Sequence, residues 1–323
     1  MRSLSISALL AVALLLSQPG CNQHDEQGAP GQGGNHGIAV IPKGSTHDFW
    51  KSVHAGANAA GKEFGYEIYW NALELETDRE RQIQIVEDFI VQKVDGIVLA
   101  PVDKAALVPA VEKLAALKIP CAIIDSAVAT DKCITFAATD NYKGGAMAAE
   151  RMGKILNGKG KVIVIKYAPG SASTTERENG FIETLGKEFP GIEIVDTKYG
   201  MATVETALQA TEDLLTRHAD LQGIFSCNEP TAVGALQALQ SQKRPEVKLV
   251  GFDAGAGLID GLRAGQIDSL VVQDPFKMGY EGVKAIAAFR KGQPVEKRID
   301  TGVTVITKES LDDPKIKELL KTQ

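Results

Sequence analysis

Short apolar, β-rich runs recur along this chain at 37–41, 66–70, 96–100, 121–124, 134–138, 161–166, 192–196, 223–226, 248–252 and 269–273, with stretches of helical period between them. That alternation constrains the fold more than any other feature. A run that is apolar on both faces needs cover on both sides. A helix between two such runs supplies the cover and returns the chain for a parallel strand. Between 78 and 94, for example, Ile83, Val86, Phe89, Ile90 and Val94 fall on one stripe. The pattern predicts an α/β fold with parallel sheets. Ten strands are many for one doubly wound sheet, so two similar lobes of five or six strands are the simpler arrangement.

The chain ahead of the first run has a different character. Arg2 is followed by an apolar stretch from Leu4 to Leu16 and then by Ser17-Gln18-Pro19-Gly20-Cys21. The stretch is short for a bilayer span and has the layout of a secretory signal over residues 1–20. Cys21 directly after Gly20 reads as a lipoprotein cleavage site, although Gln18 stands where such sites usually carry Leu; ordinary signal cleavage with Cys21 as a stray thiol is the alternative. Residues 22–36 are polar and glycine-rich, which predicts a flexible tether. The expectation is an extracytoplasmic protein of the cell envelope, held to the membrane by its lipid alone.

The formal net charge is −6, without long like-charge blocks or a basic nucleic-acid face. Cysteine is sparse: Cys21, Cys121, Cys133 and Cys227. Cys121 and Cys133 open consecutive runs, so they read either as a disulfide between neighbouring strands or as two small buried thiols. No CxxC or HxxxH spacing suggests a metal.

The first run, 37–41, ends in Pro42-Lys43-Gly44-Ser45-Thr46-His47-Asp48-Phe49-Trp50, with a helix from Trp50 to about Phe64. Ligands of open α/β sheets bind where strands release their carboxyl ends into such loops. His47 and Asp48 offer hydrogen bonds, and Phe49 and Trp50 offer flat apolar faces. That mixture suits the hydroxyl edges and C–H faces of a sugar. The loop lacks the G-x-G-x-x-G of a dinucleotide site and the G-x-x-x-x-G-K of a P-loop. Gly170-Ser171-Ala172-Ser173 does not supply the G-x-S-x-G of a serine hydrolase. Carboxylates are frequent, which leaves a carbohydrate-active enzyme formally open, but no pair has a fold context for that chemistry.

A set of short motifs in fixed order carries a resemblance. They are Asp48-Phe49-Trp50, Ile123-Ile124-Asp125, Thr139-Asp140-Asn141-Tyr142-Lys143-Gly144-Gly145, Thr175-Glu176-Arg177-Glu178-Asn179-Gly180-Phe181, Ser226-Cys227-Asn228-Glu229, Val250-Gly251-Phe252-Asp253 and Val272-Gln273-Asp274. Each is weak alone. Together, from Gly37 to the C-terminus, the chain resembles the periplasmic sugar-binding proteins of the ribose/galactose type that serve ABC importers. The resemblance implies two Rossmann-like lobes with the ligand between them and three chain crossings, near Thr139, Gln273 and Thr301. The N-terminal lobe would then comprise 37–139 with 274–300, and the C-terminal lobe 140–273 with 301–323. It also implies a monomer with a binding role, without catalysis or cofactor.

The same resemblance assigns candidate contacts. Phe49 and Trp50 match the aromatics that sandwich the sugar ring, and His47 stands where ribose-binding members carry Asn. Asp125 and Asp253 match aspartates that accept hydroxyl protons, Arg177 the arginine that donates two bonds in a fixed fork, Asn228 the asparagine after a second-lobe strand, and Gln273 the glutamine at the hinge. Three positions depart from the ribose-binding pattern: Asp48 replaces Pro, Ser126 replaces Arg, and Met201 stands near where the ribose binder carries Phe. Counting Asp48, Asp125, Asp253 and Glu229 against Arg177 predicts an acidic pocket and a neutral or amino sugar. The partner is then an ABC permease, or alternatively a membrane sensor.

Overall fold

The computed structural model describes residues 37–322. The expectations for residues 1–36, including Cys21, lie outside the described residues. Twelve strands and ten helices follow in the order β1 (Gly37–Ile41), α1 (Asp48–Phe64), β2 (Glu67–Trp70), α2 (Arg79–Gln92), β3 (Gly96–Leu99), α3 (Val108–Ala116), β4 (Cys121–Ile124), β5 (Thr135–Ala138), α4 (Asn141–Ile155), β6 (Gly160–Lys166), α5 (Ala172–Glu188), β7 (Ile192–Tyr199), α6 (Val204–Arg217), β8 (Gly223–Ser226), α7 (Glu229–Ser241), β9 (Lys248–Phe252), α8 (Ala256–Arg263), β10 (Ser269–Val272), α9 (Pro275–Arg290), β11 (Arg298–Asp300), β12 (Thr304–Thr307) and α10 (Pro314–Leu320) among the described residues.

They form two six-stranded sheets, β11-β5-β4-β3-β1-β2 and β12-β10-β9-β8-β6-β7. Every pairing is parallel except β10 with β12. The central strands are buried on both faces, as their unbroken apolar runs require. In β1, Ala39 and Ile41 pack toward α2 and α3, while Ile38 and Val40 pack toward α1 and α9. The second sheet divides its faces in the same way.

The chain passes from the first sheet to the second between β5 and α4, back between β10 and α9, and over again between β11 and β12. Both sheets turn the carboxyl ends of their parallel strands toward these passages. The third passage therefore enters the second sheet from its carboxyl edge, and β12 has to run antiparallel. At the passages Thr139 donates to the Gly302 carbonyl at 3.1 Å.

Each lobe has one very close helix crossing. A Cβ on Gly56 of α1 would stand 1.9 Å from the Phe276 carbonyl oxygen, and one on Gly279 of α9 would stand 2.0 Å from that of Val53. In the second lobe Gly145 of α4 and Gly180 of α5 play the same parts, against the carbonyls of Arg177 and Tyr142 at 2.0 and 2.1 Å. Backbone-to-backbone contact of this kind fixes the position of a helix, and here it fixes the turn of α5 that carries Arg177. Cys121 and Cys133 are both free thiols, and burial pushes the Cys121 thiol up.

Candidate functional site

Eight of the eleven predicted contact residues, His47, Phe49, Trp50, Asp125, Arg177, Asn228, Asp253 and Gln273, line one cavity between the sheets' carboxyl ends. Lys43, Glu76, Tyr167, Ser173 and Thr174 complete its wall. Only about 20 Å³ remains between these side chains, room for about one water molecule. That volume is too small for a monosaccharide.

The first lobe supplies the aromatics. Phe49 and Trp50 open α1, whose helix starts two residues earlier than the sequence suggests because Asp48 is already helical. Their rings meet edge to face with centroids 4.8 Å apart. Both belong to the core packed under α1 as well as to the cavity wall. The Trp50 Nε1 donates to Glu76 Oε1 at 2.7 Å, so the ring is held in one orientation.

Asp125 follows β4 with φ of 56°, and Asp253 follows β9 with φ of 72°. Both sit in the left-handed region, where aspartate is tolerated better than most residues. These are equivalent turns in the two lobes. Asp125 Oδ2 lies 2.7 Å from Lys43 Nζ, and its Oδ1 is 3.9 Å from Arg177 Nη2. Asp253 accepts from the Glu229 backbone N–H at 2.8 Å and from Gln273 Nε2 at 2.7 Å. Burial pushes the Asp253 carboxyl up, against the opposing pull of Arg177 and Gln273.

Arg177 is almost wholly buried. Its Nε donates to Asn141 Oδ1 at 2.8 Å, its Nη1 donates to the Cys227 carbonyl at 3.0 Å, and the guanidinium lies 4.0 Å over the Phe252 ring. Asn228 caps α7, where its Oδ1 accepts from Thr231 Oγ1 at 2.8 Å.

Three predicted residues are placed elsewhere. Asp48 turns away from the cavity: its Oδ2 accepts from the Ala256 N–H at 3.0 Å, at the start of α8 in the other lobe. Ser126 is buried behind the wall, where its Oγ accepts from the Ser173 N–H at 3.0 Å. Met201 is 46 % exposed and lines an outer recess rather than the cavity.

The expected acid excess needs correcting. Lys43 is 3 % exposed, and its ammonium reaches Ser173 Oγ at 3.1 Å and Ser171 Oγ at 3.3 Å besides Asp125. His47 adds a second cation. Burial opposes its charge, but Glu76 and Glu229 together outweigh that and raise its pKa to about 10. With Arg177 the wall holds three cations, so its carboxylates already have partners.

Lys43 had a sequence signal, a charge two residues after a buried strand, which the P-loop comparison passed over. Tyr167 directly follows β6, at a carboxyl end. Ser173 and Thr174 share a helix face with Arg177 at spacings of four and three. Glu76 had no comparable signal, since it lies six residues beyond the edge strand β2. The hydrogen bond it accepts from Tyr167 Oη in the other lobe is purely tertiary. Among the described residues no group of three or more His, Cys, Asp or Glu is arranged for a metal.

Residues 38–294 match the family model described as periplasmic binding protein domain. The ribose import binding protein of Bacillus subtilis is 28% identical over 313 residues, which is 94% of this chain and 98% of that one. A D-ribose/D-allose-binding protein of Pseudomonas aeruginosa is 29% identical, over 84% of this chain and 88% of its own. Among solved structures, a carbohydrate transporter solute binding protein of Agrobacterium radiobacter in complex with D-arabinose superposes with a TM-score of 0.85 at 35% identity, covering 88% of this chain and 98% of that one. An ABC transporter solute binding protein of Agrobacterium vitis with bound D-fucose gives 0.84 at 38% identity, covering 87% and 98%. The chain belongs to the periplasmic binding protein family, with the two-lobed type I fold of its sugar-binding members.

Proposed function

We propose that this protein captures a neutral monosaccharide between its lobes and delivers it to the permease of an ABC importer. The observation that carries the reading is the wall itself: two aromatics packed edge to face beside carboxylates, a guanidinium and an ammonium, drawn from both lobes onto one point. Sugar hydroxyls would accept from Arg177 and Lys43 and donate to Asp125 and Asp253. Thr174 Oγ1 is buried at the wall and has no hydrogen-bond partner among the described residues, which suits a further hydroxyl contact. Lys43 would exchange its serine partners for the sugar as it enters.

In this reading 37–139 with 274–300 and 140–273 with 301–323 move as two bodies about the three crossings, and the protein works as a monomer. A ligand touching both bodies favours the closed form, which the permease reads. Cys21 would carry the lipid anchor; Cys21→Ser should then move the protein into the soluble envelope fraction, and a native chain already soluble there would refute the anchor. For the site, thermal unfolding with D-ribose, D-arabinose, D-fucose and their amino and uronic analogues is the test. A neutral sugar at 100 times its Kd should add about 2.7 kcal/mol of stability. Stabilisation by none of them, or by a uronate alone, would refute the reading.

A further inference from the structure

His47 is the N-cap residue of α1, yet its side chain makes no cap hydrogen bond. The first N–H groups of that helix are capped from the other lobe: Glu229, at the start of α7, accepts from Asp48 N–H at 3.1 Å and Phe49 N–H at 3.0 Å. Asp48 returns the arrangement by capping α8 in the second lobe. Two helix N-termini thus exchange carboxylates across the cleft, each favoured by the positive end it meets.

His47 stands inside this exchange. Its Nε2 is 2.5 Å from Glu76 Oε1 in its own lobe, and its Nδ1 is 3.5 Å from Glu229 Oε2 in the other. Tyr167, again from the second lobe, donates to the other oxygen of Glu76. We propose that His47 is a proton-dependent positioning residue of this interlobe clasp, so that closure, and with it sugar affinity, varies with pH. The proposal rests on the binding function above.

The charged groups around the clasp are few. Besides Glu76 and Glu229, the Asp48 carboxylate adjoins His47 and is paired with Lys51 at 2.9 Å, and Lys43 acts on Glu76 from beyond it. Asp253 lies behind Glu229. Glu74 and Glu205 share the outer recess with His47. Burial opposes the charge on Glu76, but His47, Tyr167 and Lys43 hold its carboxyl below the usual range.

The sign follows from which carboxylate belongs to which lobe. Glu76 stays with His47 when the lobes part; Glu229 leaves. Closure therefore tightens the hold on the His47 proton. The clasp is at full strength at low pH, where both forms are protonated, and is lost as pH rises through the closed-form value of about 10.

The test is calorimetric titration at pH 7 and pH 10 with the tightest-binding sugar of the D-ribose, D-arabinose and D-fucose set, each point repeated in two buffers of different ionisation enthalpy. The native chain should lose at least tenfold in affinity across that range and take up protons on binding. His47→Gln should show a much flatter profile and no uptake. Glu229→Gln, which keeps an acceptor for the α1 N–H groups, should show a reduced slope. A native affinity and proton count that do not change with pH would overturn the clasp while leaving the binding function standing. Should no sugar bind at either pH, the binding function fails, and scattering from the sugar-free protein decides the clasp. Compaction lost toward pH 10 in the native chain but not in His47→Gln supports it, and pH-invariant scattering overturns it.

Discussion

Lys43 shows how much one side chain changes the expected ligand. Ser126, where ribose-binding relatives are expected to carry arginine, suggested a cleft short of cations and open to an amino sugar. The ammonium of Lys43, delivered from the end of β1, lies 2.7 Å from Asp125. A ligand ammonium would have to displace it rather than fill a void. Lys43→Met should lower affinity for a neutral sugar by roughly 10- to 100-fold, about 1.5–3 kcal/mol for charge-assisted bonds. It should also shift preference toward the 2-amino analogue, because Asp125 then keeps only the more distant Arg177, 3.9 Å away, as its cation. Titration of the matched pair reads both effects; an unchanged affinity and preference would remove Lys43 from the site. The candidate site was legible in the sequence where motifs follow strand ends, as with Asp125, Asn228, Asp253 and Gln273. Glu76 was not, because its neighbours are set by how two loops and a second lobe meet.

At the scale of elements, α5 offers a paired experiment. Gly145 on α4 meets the α5 backbone at Arg177, while nothing lies within 4 Å of a Cβ on Gly186 of α5. Gly145→Ala should cost roughly 1–3 kcal/mol through overpacking and should also weaken sugar binding by shifting Arg177. Gly186→Ala should be neutral or stabilising by up to about 1 kcal/mol, the helix-propensity difference. Denaturant unfolding checks both, and equal effects would contradict the close crossing as the cause. Elements with continuous apolar runs were legible before the structure, since β1, β4, β8 and β9 match the sequence bounds. Strand β7 continues three residues further, through Thr197-Lys198-Tyr199, because an edge strand needs no apolar run. Strands β11 and β12 gave no signal for the same reason: Arg298-Ile299-Asp300 holds one apolar residue and pairs only at the rim of its sheet.

The whole molecule joins two similar lobes through three passages, and under the proposed function the cleft between them is the binding site. The cavity wall is drawn from both lobes, so under the proposed function a sugar is held only when they meet. The exchanged helix caps of Glu229 and Asp48 add further contacts between the two lobes. Solution scattering of the native chain, with and without saturating sugar, tests whether the lobes close on the ligand. A smaller radius of gyration is expected with the sugar bound, and a smaller change in Arg177→Ala at the same sugar concentration. A sugar that binds tightly without changing the scattering profile would contradict it.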